Sequence, residues 1–120
     1  MHTPPVRALV LVVDDEPLIR DILAEWLVEE GYRVHCAADG QEALDLVDVE
    51  IPDVIVTDIK MPRVHGLELV ERLRTAGHAI PVVVISTWTP PSSLLGIRCV
   101  LKPFDLNHIT AAVAQCLASA

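Results

Sequence analysis

The stretch VLVVDDEPLIR, Val10 to Arg20, carries the reading of the fold. Its apolar run extends from Arg7 to Val13, aliphatic and β-branched without period-two alternation, as in a strand covered on both faces. The run stops at two consecutive acids, Asp14 and Asp15, and Pro17 then suits the first turn of a helix. Leu18, Ile19, Ile22, Leu23, Trp26 and Leu27 follow as an apolar stripe at helical spacing, with Gly31 as the stop. Strand, acidic turn and helix in a single passage make a βα unit.

The same alternation repeats outward from this unit. Arg33 to Ala37 reads as a second strand, followed by Asp39 as helix N-cap and the helical pattern Ala43, Leu44, Val47. A third strand spans Val54 to Thr57. Gly66 opens a helix with Leu67, Val70 and Leu73 inward and Glu68 four residues before Arg72, and Gly77 closes it. Val82 to Ile85 and Cys99 to Leu101 give strands four and five, and Leu106 to Leu117 the last helix. Five βα units without linker or composition break predict one domain over residues 1–120.

Strands separated by helices require right-handed crossovers, hence a parallel sheet with helices on both faces. In such sheets chemistry gathers at the carboxyl ends of the strands. The residues at those ends are Asp14 and Asp15, Asp58, Ser86 with Thr87, and Lys102 before Pro103. Three carboxylates brought together repel and raise one another's pKa unless a cation joins them, and hard oxygen donors suit magnesium. Helix capping would explain the acidic pair, a turn Asp58, and solvation Lys102, each taken singly. Lys102 is one of only two lysines in the chain, and its position beside the acids makes the joint coincidence poor.

Composition narrows the function further. A net charge of −8 argues against direct binding to nucleic acid, and 3% aromatic residues leave little for base stacking. No apolar run approaches the roughly 20 residues of a bilayer span, and the first run ends at Asp14 in a way unlike a signal peptide. Three cysteines without CxxC spacing suggest neither a disulfide framework nor a zinc site, so a reducing cytoplasm is the expected compartment. No Walker loop, dinucleotide fingerprint or nucleophile elbow is present.

VLVVDDEPLIR, DVIVTDIKMPRVHGLEL (Asp53 to Leu69), PVVVIS (Pro81 to Ser86) and LKPFD (Leu101 to Asp105) together resemble the receiver domain of two-component response regulators, over essentially the whole chain. The resemblance implies an α/β, flavodoxin-like (βα)5 three-layer sandwich with five parallel strands in the order 2-1-3-4-5. It implies Asp58 as phosphoacceptor, Lys102 and Ser86 as contacts to the phosphoryl group, and a cis Lys102–Pro103 peptide. Magnesium would be held by Asp15 directly, by Asp14 directly or through water, by Asp58, and by the backbone carbonyl of Lys60. The implied partners are a sensor histidine kinase or phosphotransfer protein and a downstream protein target or output domain. Such a domain catalyses its own phosphorylation and dephosphorylation and is not a turnover enzyme.

Two departures stand out. Cys99 occupies the switch position, three residues before the lysine, where the family usually has an aromatic side chain, so transmission through that side chain is expected to be absent or altered. The crossover from Thr87 to Arg98 contains Pro90 and Pro91 and is short, which predicts a fourth helix of a single turn around Ser92 to Leu95, or an irregular one. Trp88 is expected to cover that crossover. The last helix carries no charge from Leu106 to Ala120, and Ala111, Ala112, Ala114 and Ala118 give it a small apolar outer face, open to a homodimer or simply to good folding. A magnesium-dependent phosphohydrolase is disfavoured by Lys60, where such enzymes place an acid-base Asp. The remaining alternative is a receiver-like binding module that works without phosphorylation.

Overall fold

The computed structural model describes residues 7–60, 64–87 and 97–118. The aliphatic run of the opening stretch forms β1, Leu9–Val13, buried at every position. Two further unalternated runs, β3 (Val54–Asp58) and β4 (Val82–Ser86), are buried throughout as well. β2 (Arg33–Ala37) and β5 (Ile97–Leu101) retain exposed residues and form the two edges. All pairings are parallel and the order is β2-β1-β3-β4-β5. The chain leaves β1 on one side for β2 and returns on the other for β3, so the crevice of the fold opens at the carboxyl ends of β1 and β3.

Alternation within each central strand divides the core in two. Leu11, Val13, Ile55, Val82 and Val84 face α2 (Gly40–Val49) and α3 (Gly66–Thr75). Val10, Val12, Val54, Val56, Val83 and Ile85 face α1 (Pro17–Glu29) and α4 (Leu106–Ala118). The result is three layers, helices on both faces of one sheet, as the strand spacing predicts.

Local signals place the helices. Pro17 begins α1, the Asp39 side chain accepts from the Glu42 N–H at 2.8 Å to cap α2, and Gly31 and Gly77 take positive φ after α1 and α3. Glu68 pairs with Arg72 at 2.7 Å on α3. The expected inward faces need correction at three points. On α1, Leu23 and Leu27 are buried, but Leu18 and Ile22 are exposed, because six residues form a wider stripe than one helix face can bury. On α3, Leu69 joins Val70 and Leu73 in the core and Leu67 only borders it. On α4, Ala112 packs inward with Ile109, Val113 and Cys116, leaving Asn107, His108 and Gln115 among the exposed alanines. That outer face is therefore more polar than the sequence suggests.

The predicted single turn at Ser92 to Leu95 and the covering role of Trp88 lie outside the described residues. Among the described residues no helix is long and apolar enough to cross a membrane.

Candidate functional site

Four strands deliver one polar side chain or more to the same end of the sheet. β1 runs into Asp14, which is buried, and Asp15, which is exposed; β3 ends on Asp58, 9% exposed. One carboxylate oxygen from each of these three lies within 4.8 Å of the others. Ser86 closes β4 and is buried. Its carbonyl accepts the Lys102 N–H at 2.8 Å, which carries the β4–β5 ladder one residue past the end of β5. That bond aims the lysine: its Nζ donates to Asp58 Oδ2 at 2.9 Å, across 44 residues of sequence.

Backbone groups hold the acids. The Lys60 N–H donates to Asp58 Oδ1 at 3.2 Å, while the Lys60 residue itself is exposed. Asp14 Oδ1 accepts from the Glu16 N–H at 2.9 Å, and the Asp14 N–H donates to the Ala37 carbonyl at 3.1 Å. The Asp14 carbonyl accepts from Arg20 Nη1 at 2.9 Å. Beneath Asp58, the Gly66 N–H donates to the Ile59 carbonyl at 2.9 Å, and a Cβ on Gly66 would stand 2.5 Å from the Asp58 carbonyl oxygen. Only glycine lets α3 start this close to the strand end.

The charges explain the proton affinities. Burial raises the Asp14 pKa, the Glu16 N–H opposes the rise, and the charges of Asp58 and Asp15 add to it more than Lys102 removes. For Lys102, burial pulls the ammonium pKa down, and the Asp58 hydrogen bond with the charges of Asp58, Asp14 and Glu16 more than reverses this, so it ends raised. One ammonium thus leaves the acid cluster under-compensated. Clustered hard oxygen donors with residual negative charge fit a divalent ion such as magnesium.

The response regulator receiver domain family matches residues 10–114. The chain belongs to this family. A regulator of RpoS from Escherichia coli K12 is 39% identical over 98% of this chain and 37% of its own length. Response regulator MprA of Mycolicibacterium vanbaalenii is 45% identical over 89% of this chain and 48% of its own. The receiver domain therefore spans half or less of these curated relatives. Among solved structures, the chemotaxis protein CheY4 of Vibrio cholerae superposes with a TM-score of 0.86 at 31% identity, over 93% of this chain and all of that one.

Within this receiver domain, Asp14, Asp15, Asp58 and Lys102 converge as the sequence predicts, with Ser86 at the neighbouring strand end. The Lys102–Pro103 peptide is cis. Cys99 stands three residues before Lys102 on β5, in register with Val84, and by strand alternation on the face opposite Val100. Two contributors were not singled out from sequence. Arg20 sits inside the opening motif but has no spacing signature, and Gly66 reads as a helix opener without disclosing its contact with Asp58.

Proposed function

We propose that Asp58 is the phosphoacceptor of this receiver domain and that phosphorylation there switches a protein-interaction surface. The observation that carries the proposal is the 2.9 Å ion pair between Lys102 and Asp58 beside the carboxylates of Asp14 and Asp15. Asp14, Asp15, Asp58 and the Lys60 carbonyl would hold magnesium, which when bound neutralises charge on a phosphoryl group in transfer.

The chain's own residues account for the rest. An Asp58 carboxylate oxygen attacks phosphorus in line, forming an O–P bond as the donor's bond to phosphorus breaks. The electron pair of that bond leaves with the donor, the imidazole of a phosphohistidine or the acetate of acetyl phosphate. Lys102, held by the Ser86 carbonyl, moves its ion pair from Asp58 Oδ2 to a phosphoryl oxygen. The Ser86 hydroxyl donates to a second phosphoryl oxygen, drawing the end of β4 inward. With a thiol at Cys99, no aromatic rotamer follows this movement along β5, and a neighbouring group must carry the signal. The partners supported by this reading are a sensor histidine kinase or phosphotransfer protein upstream and an output domain or separate protein downstream.

Incubation with magnesium and acetyl phosphate followed by intact-mass measurement tests the proposal. Wild type gains one phosphoryl group and Asp58→Ala gains none. Equal gain in both proteins, or none in wild type, refutes it.

A further inference from the structure

Arg20 reaches back from α1 to the main chain of the acidic turn: its Nη1 donates to the Asp14 carbonyl at 2.9 Å, six residues earlier. The local backbone explains why a side chain is needed. Pro17, three residues after Asp14, has no N–H to offer, and the Glu16 N–H is engaged by Asp14 Oδ1. Arg20 is half-buried, and its charge is close enough to Cys36 on β2 to act on that thiol. It therefore lies between the turn and the sheet edge. Arginine keeps its charge at any physiological pH and suits a lasting contact of this kind.

The bond bears on the site through peptide planarity. The Asp14 carbonyl and the Asp15 N–H share one rigid plane, so a fixed carbonyl fixes where the Asp15 Cα lies. Asp14 has a second anchor in its N–H bond to Ala37 and a third in Oδ1. The Asp15 carboxylate is exposed and makes no hydrogen bond among the described residues. Its placement depends on its own backbone.

We propose that Arg20 is a positioning residue for the acidic site: by holding the Asp14–Asp15 peptide it orients the Asp15 carboxylate toward Asp14 and Asp58 for cation binding. This rests on the proposed magnesium-dependent function. An NMR titration of the full chain with Mg2+ alone, followed at the backbone amides of residues 14, 15 and 58, supplies the affinity, and urea unfolding of the metal-free protein supplies the stability.

Arg20→Met, which keeps the stem but has no donor, weakens Mg2+ binding about tenfold, the usual loss when an outer hydrogen bond to a metal site is removed. Arg20→Gln, too short to span back to Asp14, gives the same loss and replaces the Met variant should that one fail to fold. Arg20→Lys retains a cationic donor and recovers most of the affinity. Mg2+ affinity within twofold of wild type in the Met or Gln variant, or a fall in urea midpoint with affinity retained, overturns the assignment of Arg20 alone. Failure of wild type to respond to Mg2+ at residues 14, 15 and 58 overturns the functional reading beneath it.

Discussion

Replacing Gly66 by alanine adds one methyl group where α3 begins against the end of β3. Its Cβ would stand 2.5 Å from the Asp58 carbonyl oxygen, 2.9 Å from the Ile59 Cα and 3.2 Å from the Ile59 carbonyl oxygen. The shortest of these is roughly 1 Å inside ordinary contact, and all three partners are backbone, so no rotamer change relieves the overlap. Overpacking of this kind costs about 1–3 kcal/mol. Alanine restricts the unfolded chain more than glycine does and returns about 0.4–1 kcal/mol. The net loss is about 1–2 kcal/mol, a fall of roughly 1 M in the urea midpoint for a domain of this size.

The same displacement falls on Asp58, the proposed acceptor. A shift approaching 1 Å slows a positioned reaction by up to about 100-fold, so phosphorylation by acetyl phosphate at saturating Mg2+ is expected to slow 10- to 100-fold. Gly31→Ala is the control. Nothing lies within 4 Å of a Cβ there, but φ is +99°, so alanine is strained by about 1–2 kcal/mol far from the acids. The two variants should lose comparable stability, and only Gly66→Ala should lose phosphorylation rate. Wild-type phosphorylation in Gly66→Ala, or equal slowing in both, would refute the idea that the α3 start positions Asp58.

Four other outcomes follow from the geometry. Burial, with Asp58 and Asp15, holds the Asp14 pKa above its ordinary 3.8, so ionising it costs the folded state; that cost fades as pH falls through the raised pKa and is gone below 3.8. Asp14→Asn therefore raises the urea midpoint of metal-free protein at pH 7, and Mg2+ at ten times its Kd stabilises wild type by about 1.4 kcal/mol but not the variant. A lower midpoint in Asp14→Asn would contradict this. Glu50, hydrogen-bonded by Arg33 at 2.8 Å, has a lowered pKa, so the pair contributes above about pH 4.5 and its contribution disappears as pH falls through the lowered value. Glu50→Gln should differ from wild type only above that window and less in high salt, as pH-dependent unfolding will show. Burial raises the thiol pKa of Cys36, Cys99 and Cys116, so iodoacetamide labelling at pH 7.5, read by mass, should be slower than in the urea-unfolded chain. Leu27→Ala, at a fully buried α1 position, should cost about 2–5 kcal/mol in urea unfolding, with acetyl phosphate reactivity retained under native conditions.

The sheet was legible because three of its strands are short, β-branched, unalternated aliphatic runs bounded by polar turns, as a doubly covered strand requires. Helix stops at Gly31 and Gly77 and the Asp39 cap were legible for the same kind of reason, since each rests on backbone geometry set by one residue. Helix faces were less so. Leu18 and Ile22 share the helical spacing of Ile19 and Leu23, and hydrophobicity alone does not say which edge of a broad stripe the sheet covers. Ala112 is small enough to fit either side, and only the fit against Ile109, Val113 and Cys116 draws it inward.

In the site, the legible residues are those whose type is costly where it stands. Acids clustered at the ends of two adjacent strands suit a cation, and a rare lysine at a neighbouring strand end is hard to assign to chance. The residues that hold them left weaker traces. Gly66 works through an atom it lacks, and Arg20 works through a bond to a main-chain carbonyl, which any residue at position 14 would offer. Lys102 shows both levels at once. Its ammonium was predictable from sequence, but its direction comes from the N–H bond to the Ser86 carbonyl, one residue beyond the paired strand. That bond ties the charge paired with Asp58 to the strand end carrying the Ser86 hydroxyl. A pull on either group is therefore felt by the other, and β4–β5 coupling needs no large side chain at Cys99 to begin.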